Sequence, residues 1–361
     1  MFTKFTTVIL LSFFLIACTK QKISKTTAQT NQTDVTTTAK KEDNILNLAA
    51  KPAPTAVTYL TGNAADVTTT SVGGLLLMGG STDVDAAIQW FLQRAGGGDV
   101  VVIRSSGADG YNTYMYNMVP VNSVETIIID SRAKADLATV TQKIRNAEAL
   151  FIAGGDQWNY VNYWKNSGTE DAINYLINTK GVTVGGTSAG LAILGSAYYS
   201  AQSGSVTTAQ ALANPYDRTV TIGANDFVAA PFLSNTITDS HYSQRDRQGR
   251  HVTFMARLMK DFGYTTTVKG IGVDEQTAVC IDAAGIGKVY GTNNAYFLKN
   301  TGLGAETCVS GSPLTWNRSA QAVSAYRIAG SATGNGSFNA TNWTFSGGNS
   351  YFYYVNNGVL F

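Results

Sequence analysis

The chain has 361 residues, 44% of them hydrophobic and 36 of them glycine, with 26 basic against 24 acidic side chains. That length and apolar content suffice for a large buried core and exclude a wholly disordered chain. A formal net charge of +2 provides no electrostatic footprint for nucleic acid.

The amino terminus, MFTKFTTVILLSFFLIACTK, combines an early lysine with an apolar run from Val8 to Ala17 that is too short to span a bilayer. It has the form of a signal peptide over residues 1–17, and Leu15-Ile16-Ala17-Cys18 resembles a bacterial lipobox. Cys18 is then the expected lipidation site, and the mature chain is exported and held at the cell envelope by a lipid anchor, its only membrane contact. Residues 18–58 are dominated by Thr, Lys, Gln and Ala and carry no aromatic residue through Thr58. Such a composition cannot bury enough surface to offset its ordering entropy, so this segment is expected to be a flexible tether.

From Val72 onward short apolar runs alternate with helical periodicity. GGLLLMGG is followed by Val84, Ala87, Ile88, Phe91, Leu92 and Ala95, spaced as on one face of a helix. VVVIRS (100–105), ETIIID (125–130), a helix over 135–146, ALFIAGG (149–155), a helical stretch through Ile177, VTVGG (182–186) and an apolar helix from Ala189 come next. Runs apolar on both faces and separated by helices predict an α/β fold: a doubly wound, mostly parallel sheet with helices on both faces. Beyond residue 265 the apolar period becomes two, and Asn356-Asn357-Gly358 signals a hairpin, which predicts a β-rich C-terminal extension packed on the domain. The expected organisation is an α/β domain over residues 59–300 and the extension over 301–361. Cys280 and Cys308 have two readings, a disulfide outside the reducing cytosol or buried free thiols.

Within this pattern GGTSAG (185–190) has the form of a nucleophile elbow, with Ser188 raised between a strand and a helix. The Ala189 N–H, with Gly155 or its neighbours in the GGDQ turn (154–157), would face a developing oxyanion. A serine nucleophile needs a base, and the chain has two histidines, His241 and His251, both in or bordering DSHYSQRDRQGRH (239–251). His241 stands at a loop-to-helix junction as the candidate base, whereas His251 leads into an apolar helix. Arg245, Arg247 and Arg250 crowd into six positions, and guanidinium groups suit carboxylate recognition. Neither GGDQ nor LMGGST matches a nucleotide-binding fingerprint. Two histidines and scattered carboxylates offer no metal-ligand spacing, so no metal or other cofactor is expected.

AEALFIAGGDQ, GVTVGGTSAG, DSHYSQRDRQGR and GIGVDEQTAV, in this order over residues 72–300, resemble the cyanophycinase branch of the serine peptidases that also contain dipeptidase E. The resemblance implies a fold similar to class I glutamine amidotransferases, Ser188 as nucleophile and His241 as base. It implies a specificity pocket lined by Gln157, Asp239, Arg245, Arg247 and Arg250, and a peptide substrate with aspartyl and arginyl groups. It also implies a glutamate between serine and histidine, a place where this chain has no acid from Ala189 to Tyr216. Gln210 and Asp217 are the candidates to orient the imidazole in its stead, while Asp274 and Glu275 are expected to be structural or channel residues. Two further readings compete with an aspartyl-peptide hydrolase: a relative without the triad acid that only binds acidic peptides, and an esterase-like serine hydrolase. The sequence leaves the oligomeric state, including a homodimer, open.

Overall fold

The computed structural model describes residues 54–361. The signal-peptide and Cys18 readings, and the tether up to residue 53, lie outside the described residues. Among the described residues no helix is long and apolar enough to cross a membrane.

In chain order the first strands and helices are β1 (Val57–Gly62), β2 (Gly74–Met78), α1 (Asp85–Gln93), β3 (Asp99–Arg104), α2 (Asn112–Tyr116), β4 (Ser123–Ile128), α3 (Arg132–Ala135), α4 (Ala138–Asn146), β5 (Ala149–Ile152), α5 (Gln157–Trp164), α6 (Gly168–Tyr175), β6 (Thr183–Thr187) and α7 (Ala189–Ala192). The rest are β7 (Ala197–Tyr199), α8 (Thr208–Ala213), β8 (Ile222–Ala224), β9 (Thr236–Asp239), α9 (Gln248–Asp261), β10 (Lys269–Val273), β11 (Thr277–Asp282), β12 (Ile286–Gly291), β13 (Asn294–Asn300), β14 (Val323–Ala329), β15 (Asn335–Asn339), β16 (Thr344–Ser346) and β17 (Asn349–Tyr353). A short hairpin, β18 (Val355–Asn356) and β19 (Val359–Leu360), closes the chain, with Asn357 and Gly358 both at positive φ as a primed turn requires.

Ten strands form the first sheet in the order β1-β4-β3-β5-β6-β2-β11-β12-β15-β16. Its centre, β4-β3-β5-β6-β2, is parallel, and β1 and the strands from β11 onward pair antiparallel. The parallel strands are apolar on both faces because each face has its own core. Leu75, Leu77, Val101, Ile103, Leu150 and Ile152 enter the core under α4 to α7, whereas Leu76, Met78, Val100, Val102, Ala149 and Phe151 enter the core under α1 and α2. This is the expected doubly wound α/β arrangement with a β-rich C-terminal region.

A second sheet, β17-β14-β13-β10-β9-β7-β8, stands beside the first. Ile271, Val273, Ala295, Phe297 and Ile328 from this sheet share a core with Val279, Ile281 and Val289 from the first. On its other face Ile237, Leu298, Val323 and Ala325 pack with Val252, Met255 and Leu258 of α9. Strands after residue 300 join both sheets.

Three elements differ from the sequence reading. The helix expected over 135–146 is broken at Asp136 and Leu137, where Leu137 turns extended and Asp136 accepts a hydrogen bond from Gly168 N–H. The stretch through Ile177 is interrupted at Asn166 (φ 56°), after which Ser167 caps α6. The apolar helix after Ser188 lasts one turn before the chain enters β7. Cys280 and Cys308 are buried free thiols in separate cores.

Candidate active site

Two parallel ladders end side by side. In the first sheet Met78 pairs with Thr187 at the C-terminal ends of β2 and β6, and in the second Gly272 pairs with Asp239 near the ends of β10 and β9. The loops that follow meet in the crevice beyond the strands, the usual place for ligands in open α/β sheets. Ser188 follows β6, His241 follows β9, Glu275 follows β10 and Gly79-Gly80 follows β2.

Ser188 has φ 52° and ψ −110°, a strained conformation for a residue with a Cβ. The surrounding structure enforces it. Ser188 N–H donates to Met78 O at 3.0 Å, Ala192 N–H donates back to Ser188 O at 3.0 Å, and a Cβ on Gly190 would stand 2.1 Å from Ile152 O. Gly190 must therefore be glycine for the turn to pack on β5, and the hydroxyl is lifted above the sheet.

The Ser188 Oγ and His241 Nε2 are 2.7 Å apart, and His241 Nδ1 lies 2.7 Å from Glu275 Oε1. An ionised carboxylate only accepts, so Nδ1 carries the ring proton and donates it to Glu275. That tautomer leaves the Nε2 lone pair to accept from the Ser188 hydroxyl. Burial pushes the His241 pKa below its ordinary 6.5, opposed by the Glu275 hydrogen bond and reinforced by the charges of Arg245 and Arg247. The hydrogen bond from His241 holds the Glu275 carboxyl below the usual range.

Gly79 and Gly80 stitch the two sheets together at this point. Gly79 O accepts from His241 N–H at 2.9 Å, Gly79 N–H donates to Thr277 O at 2.9 Å, and Gly80 O accepts from Gln276 N–H at 3.0 Å. Gly80 has φ +99°, and a Cβ there would lie 2.6 Å from the His241 ring and 3.0 Å from Ser188 Cβ. The LMGGST segment is thus the floor beneath the imidazole. Asp274, fully buried, accepts from Ser243 N–H at 2.8 Å and Asn294 N–H at 3.1 Å, tying the histidine loop to the turn that carries Glu275.

The structure does not place Gln210 or Asp217 behind the imidazole. Gln210 is exposed and closes a capping box, its Oε1 accepting from Thr207 N–H at 3.0 Å. Asp217 accepts from Thr219 N–H at 2.9 Å and from the Thr219 hydroxyl. Both carboxyl-like groups are consumed by local turns, and the acid that reaches the imidazole follows the histidine in sequence. Glu275, expected to be structural, is that acid. The GIGVDEQ motif was the available signal, an acidic pair directly after a buried strand.

Two of the expected pocket residues are corrected as well. Asp239 and Arg250 are 3% and 2% exposed and saturate each other, with Arg250 Nε to Asp239 Oδ2 at 2.8 Å and Nη2 to Oδ1 at 2.6 Å. Burial alone would raise the Asp239 pKa, but Arg250 and Arg247 outweigh it and hold the carboxyl low. Arg247 donates to Ser240 O at 2.9 Å, and burial brings its own pKa down to about 10. Arg245 is different: its side chain is 53% exposed, with Nε 3.6 Å from Glu275 Oε1. Gln157 opens α5, two residues beyond Gly155, with no side-chain hydrogen bond among the described residues. The Gly155 and Ala189 N–H groups have no protein acceptor among the described residues, and the Gly154 Cβ position lies 3.5 Å from Ser188 Cβ. His251 is a core residue, with Nε2 toward Ile237 O at 3.2 Å and Nδ1 toward Tyr242 Oη at 3.1 Å.

The sequence profile described as Peptidase family S51 matches residues 75–289. The chain is 24% identical over 229 residues to the cyanophycinase of Synechococcus elongatus, covering 61% of this chain and 66% of that protein. It is 24% identical over 213 residues to the cyanophycinase of Geminocystis herdmanii, covering 56% of this chain and 72% of that one. The chain thus spans just under two thirds of the length of the Synechococcus protein. Among solved structures it is similar to a peptidase from an acI-B1 Actinobacterium, with a TM-score of 0.44, 13% identity, and coverage of 68% of this chain and 93% of that one.

Proposed function

The chain belongs to peptidase family S51, and from that premise we propose that it hydrolyses aspartyl-linked amides, cyanophycin or β-aspartyl peptides, through an acyl-enzyme on Ser188. In the first step Ser188 Oγ attacks the carbonyl carbon while its proton passes to His241 Nε2. The charge that develops on the carbonyl oxygen is taken by the Ala189 and Gly155 N–H groups. Collapse breaks the C–N bond, and the imidazolium returns the proton to the leaving amine. Water then attacks the ester with His241 as base and frees the acid. Glu275 stabilises the imidazolium in both steps.

The observation that carries this reading is the unbroken hydrogen-bonded chain Ser188–His241–Glu275, 2.7 Å at each link. Glu275 supplies the acid whose apparent absence motivates a purely binding protein, and so supports turnover. The largely exposed guanidinium of Arg245 beside the triad favours an acidic substrate over a neutral acyl ester. A fluorophosphonate probe is expected to label the native protein and leave Ser188→Ala unlabelled; an unlabelled native protein refutes the mechanism. Faster hydrolysis of a p-nitrophenyl acyl ester than of any aspartyl amide would favour the esterase instead. We also propose that the enzyme works outside the cytosol on a lipid tether at Cys18, for which loss of metabolic palmitate labelling in Cys18→Ser is the test.

A further inference from the structure

A cavity of about 470 Å³ lies at the C-terminal end of β3, lined by Asp83, Asp85, Arg104, Tyr111 and Tyr114. One wall continues from the Gly80 loop that borders Ser188, and the other is the segment that follows β3. Asp83 stands three residues beyond Gly80, the glycine wedged between the His241 ring and Ser188. On the other side the charge of Arg104 reaches the Tyr160 hydroxyl, which lies 2.7 Å from where a Cβ on Gly155 would stand. Arg104 ends β3, two strands from β6 in the order β3-β5-β6, or about 10 Å at the usual strand spacing.

The cavity's charges lack partners. Among the described residues Arg104 makes no ion pair; its Nη1 donates to Ala108 O at 3.0 Å, and its Nε is buried without an acceptor. By contrast Arg250 and Arg247 are matched to Asp239, and Arg245 faces Glu275. Asp83 and Asp85 likewise meet no cation among the described residues. They accept only the hydroxyls of Tyr111, at 3.4 Å, and Tyr114, at 2.7 Å. The cavity thus brings together a guanidinium that has no ion-pair partner and two carboxylates that have none among the described residues.

We propose that this cavity is the acyl-side subsite and takes an amino-acid zwitterion, the substrate's free carboxylate on Arg104 and its ammonium against Asp83 and Asp85. The proposal rests on the reading of the chain as an aspartyl-amide hydrolase. In an N-terminal β-aspartyl residue the scissile carbonyl belongs to the side chain. The carbon that bears both the free carboxylate and the ammonium is then two bonds from the carbonyl carbon. Both charges stay on the acyl side while Ser188 holds the carbonyl, and both remain through the acyl-enzyme.

Three substrates with one leaving group separate the charges: β-aspartyl, β-alanyl and succinyl p-nitroanilides, which carry both, the ammonium alone and the carboxylate alone. The native enzyme is expected to prefer the β-aspartyl amide in kcat/KM over each of the others by roughly 10- to 100-fold, the worth of one charge-assisted contact. Arg104→Met should erase the preference over β-alanyl while keeping that over succinyl, and Asp85→Asn should do the reverse. Asp85 begins a helix and is exposed, so its variant reads the subsite even if Arg104→Met does not fold. A native enzyme that cleaves the β-aspartyl amide with no preference over the other two, or folded variants that keep both preferences, overturns the subsite and leaves the hydrolase reading intact. No turnover of any amide defeats the hydrolase reading; the subsite is then read by calorimetric binding of free aspartate to Ser188→Ala. Binding that Arg104→Met or Asp85→Asn abolishes supports the subsite, and absent or unaltered binding overturns it.

Discussion

Replacing Glu275 by glutamine keeps the shape of the acid and removes its charge. In the native site the carboxylate lies 2.7 Å from His241 Nδ1 and its side chain is 24% exposed, which places it near the protein surface and not in a dry interior. Two unit charges about 4 Å apart at an effective dielectric near 20 interact by about 4 kcal/mol. That energy is available only when the ring is protonated, as it is in the transition state. At 1.36 kcal/mol per decade it corresponds to a loss of about 10³ in kcat, somewhat less than the roughly 10⁴ measured when a buried triad aspartate becomes its amide. KM should stay within about threefold, because the contact does not touch the substrate. Because Glu275 raises the His241 pKa, its removal should also move the acid limb of kcat/KM to lower pH. The rate of fluorophosphonate labelling gives the same comparison without a choice of substrate. Gln210→Ala, which opens only a capping box, serves as the control and should lose no more than about 1–2 kcal/mol of stability. A Glu275→Gln enzyme within tenfold of native, or a Gln210→Ala enzyme that loses as much activity, would refute the assignment of the acid.

Three other outcomes follow from the same geometry. Gly80→Ala puts a methyl group 2.6 Å from the His241 ring at φ +99°, so labelling of Ser188 should fall by about 100-fold, the cost of a misplacement near 1 Å; a native labelling rate would show that the floor is soft. Asp239→Asn leaves the buried Arg250 charge uncompensated and should cost about 3–5 kcal/mol in urea denaturation, with a loss below about 1 kcal/mol contradicting the buried-pair reading. His251 is fully buried and its pKa is pushed down by burial to about 4. Between its ordinary 6.5 and that value the unfolded chain binds a proton that the folded chain refuses, so stability falls as pH drops through this window, by up to about 3 kcal/mol. His251→Gln should flatten that part of the curve, and parallel curves for the two proteins would exclude the effect.

How far the sequence exposes this molecule depends on what each element buries. β2, β3, β5 and β6 are legible because cores on both faces demand unbroken apolar runs such as GLLLM and VVVI. β7, β8 and β9 have three or four residues each, too few to display a period, so this side of the second sheet is invisible until its partners are known. Ser188 and His241 stand out because the elbow needs small neighbours and histidine is scarce. Glu275 does not, since DEQ after an apolar strand reads the same whether or not an imidazole stands before it. The charge run at 245–250 conceals a division of labour: α9 turns Arg250 inward onto Asp239, whereas Arg245, in the turn ahead of the helix, stays in solvent.

The crevice at Ser188 is a seam, with hydroxyl and imidazole delivered by different sheets. β10, which delivers Glu275, is hydrogen-bonded on one edge to β13, and β13 to β14, both beyond the segment that matches the family profile. A chain trimmed to residues 75–289 would strip β10 of that neighbour and leave the carboxylate on a bare margin. Reactivity at a single hydroxyl consequently gauges whether the last fifth of the polypeptide has docked, a reporter built into the enzyme's own chemistry.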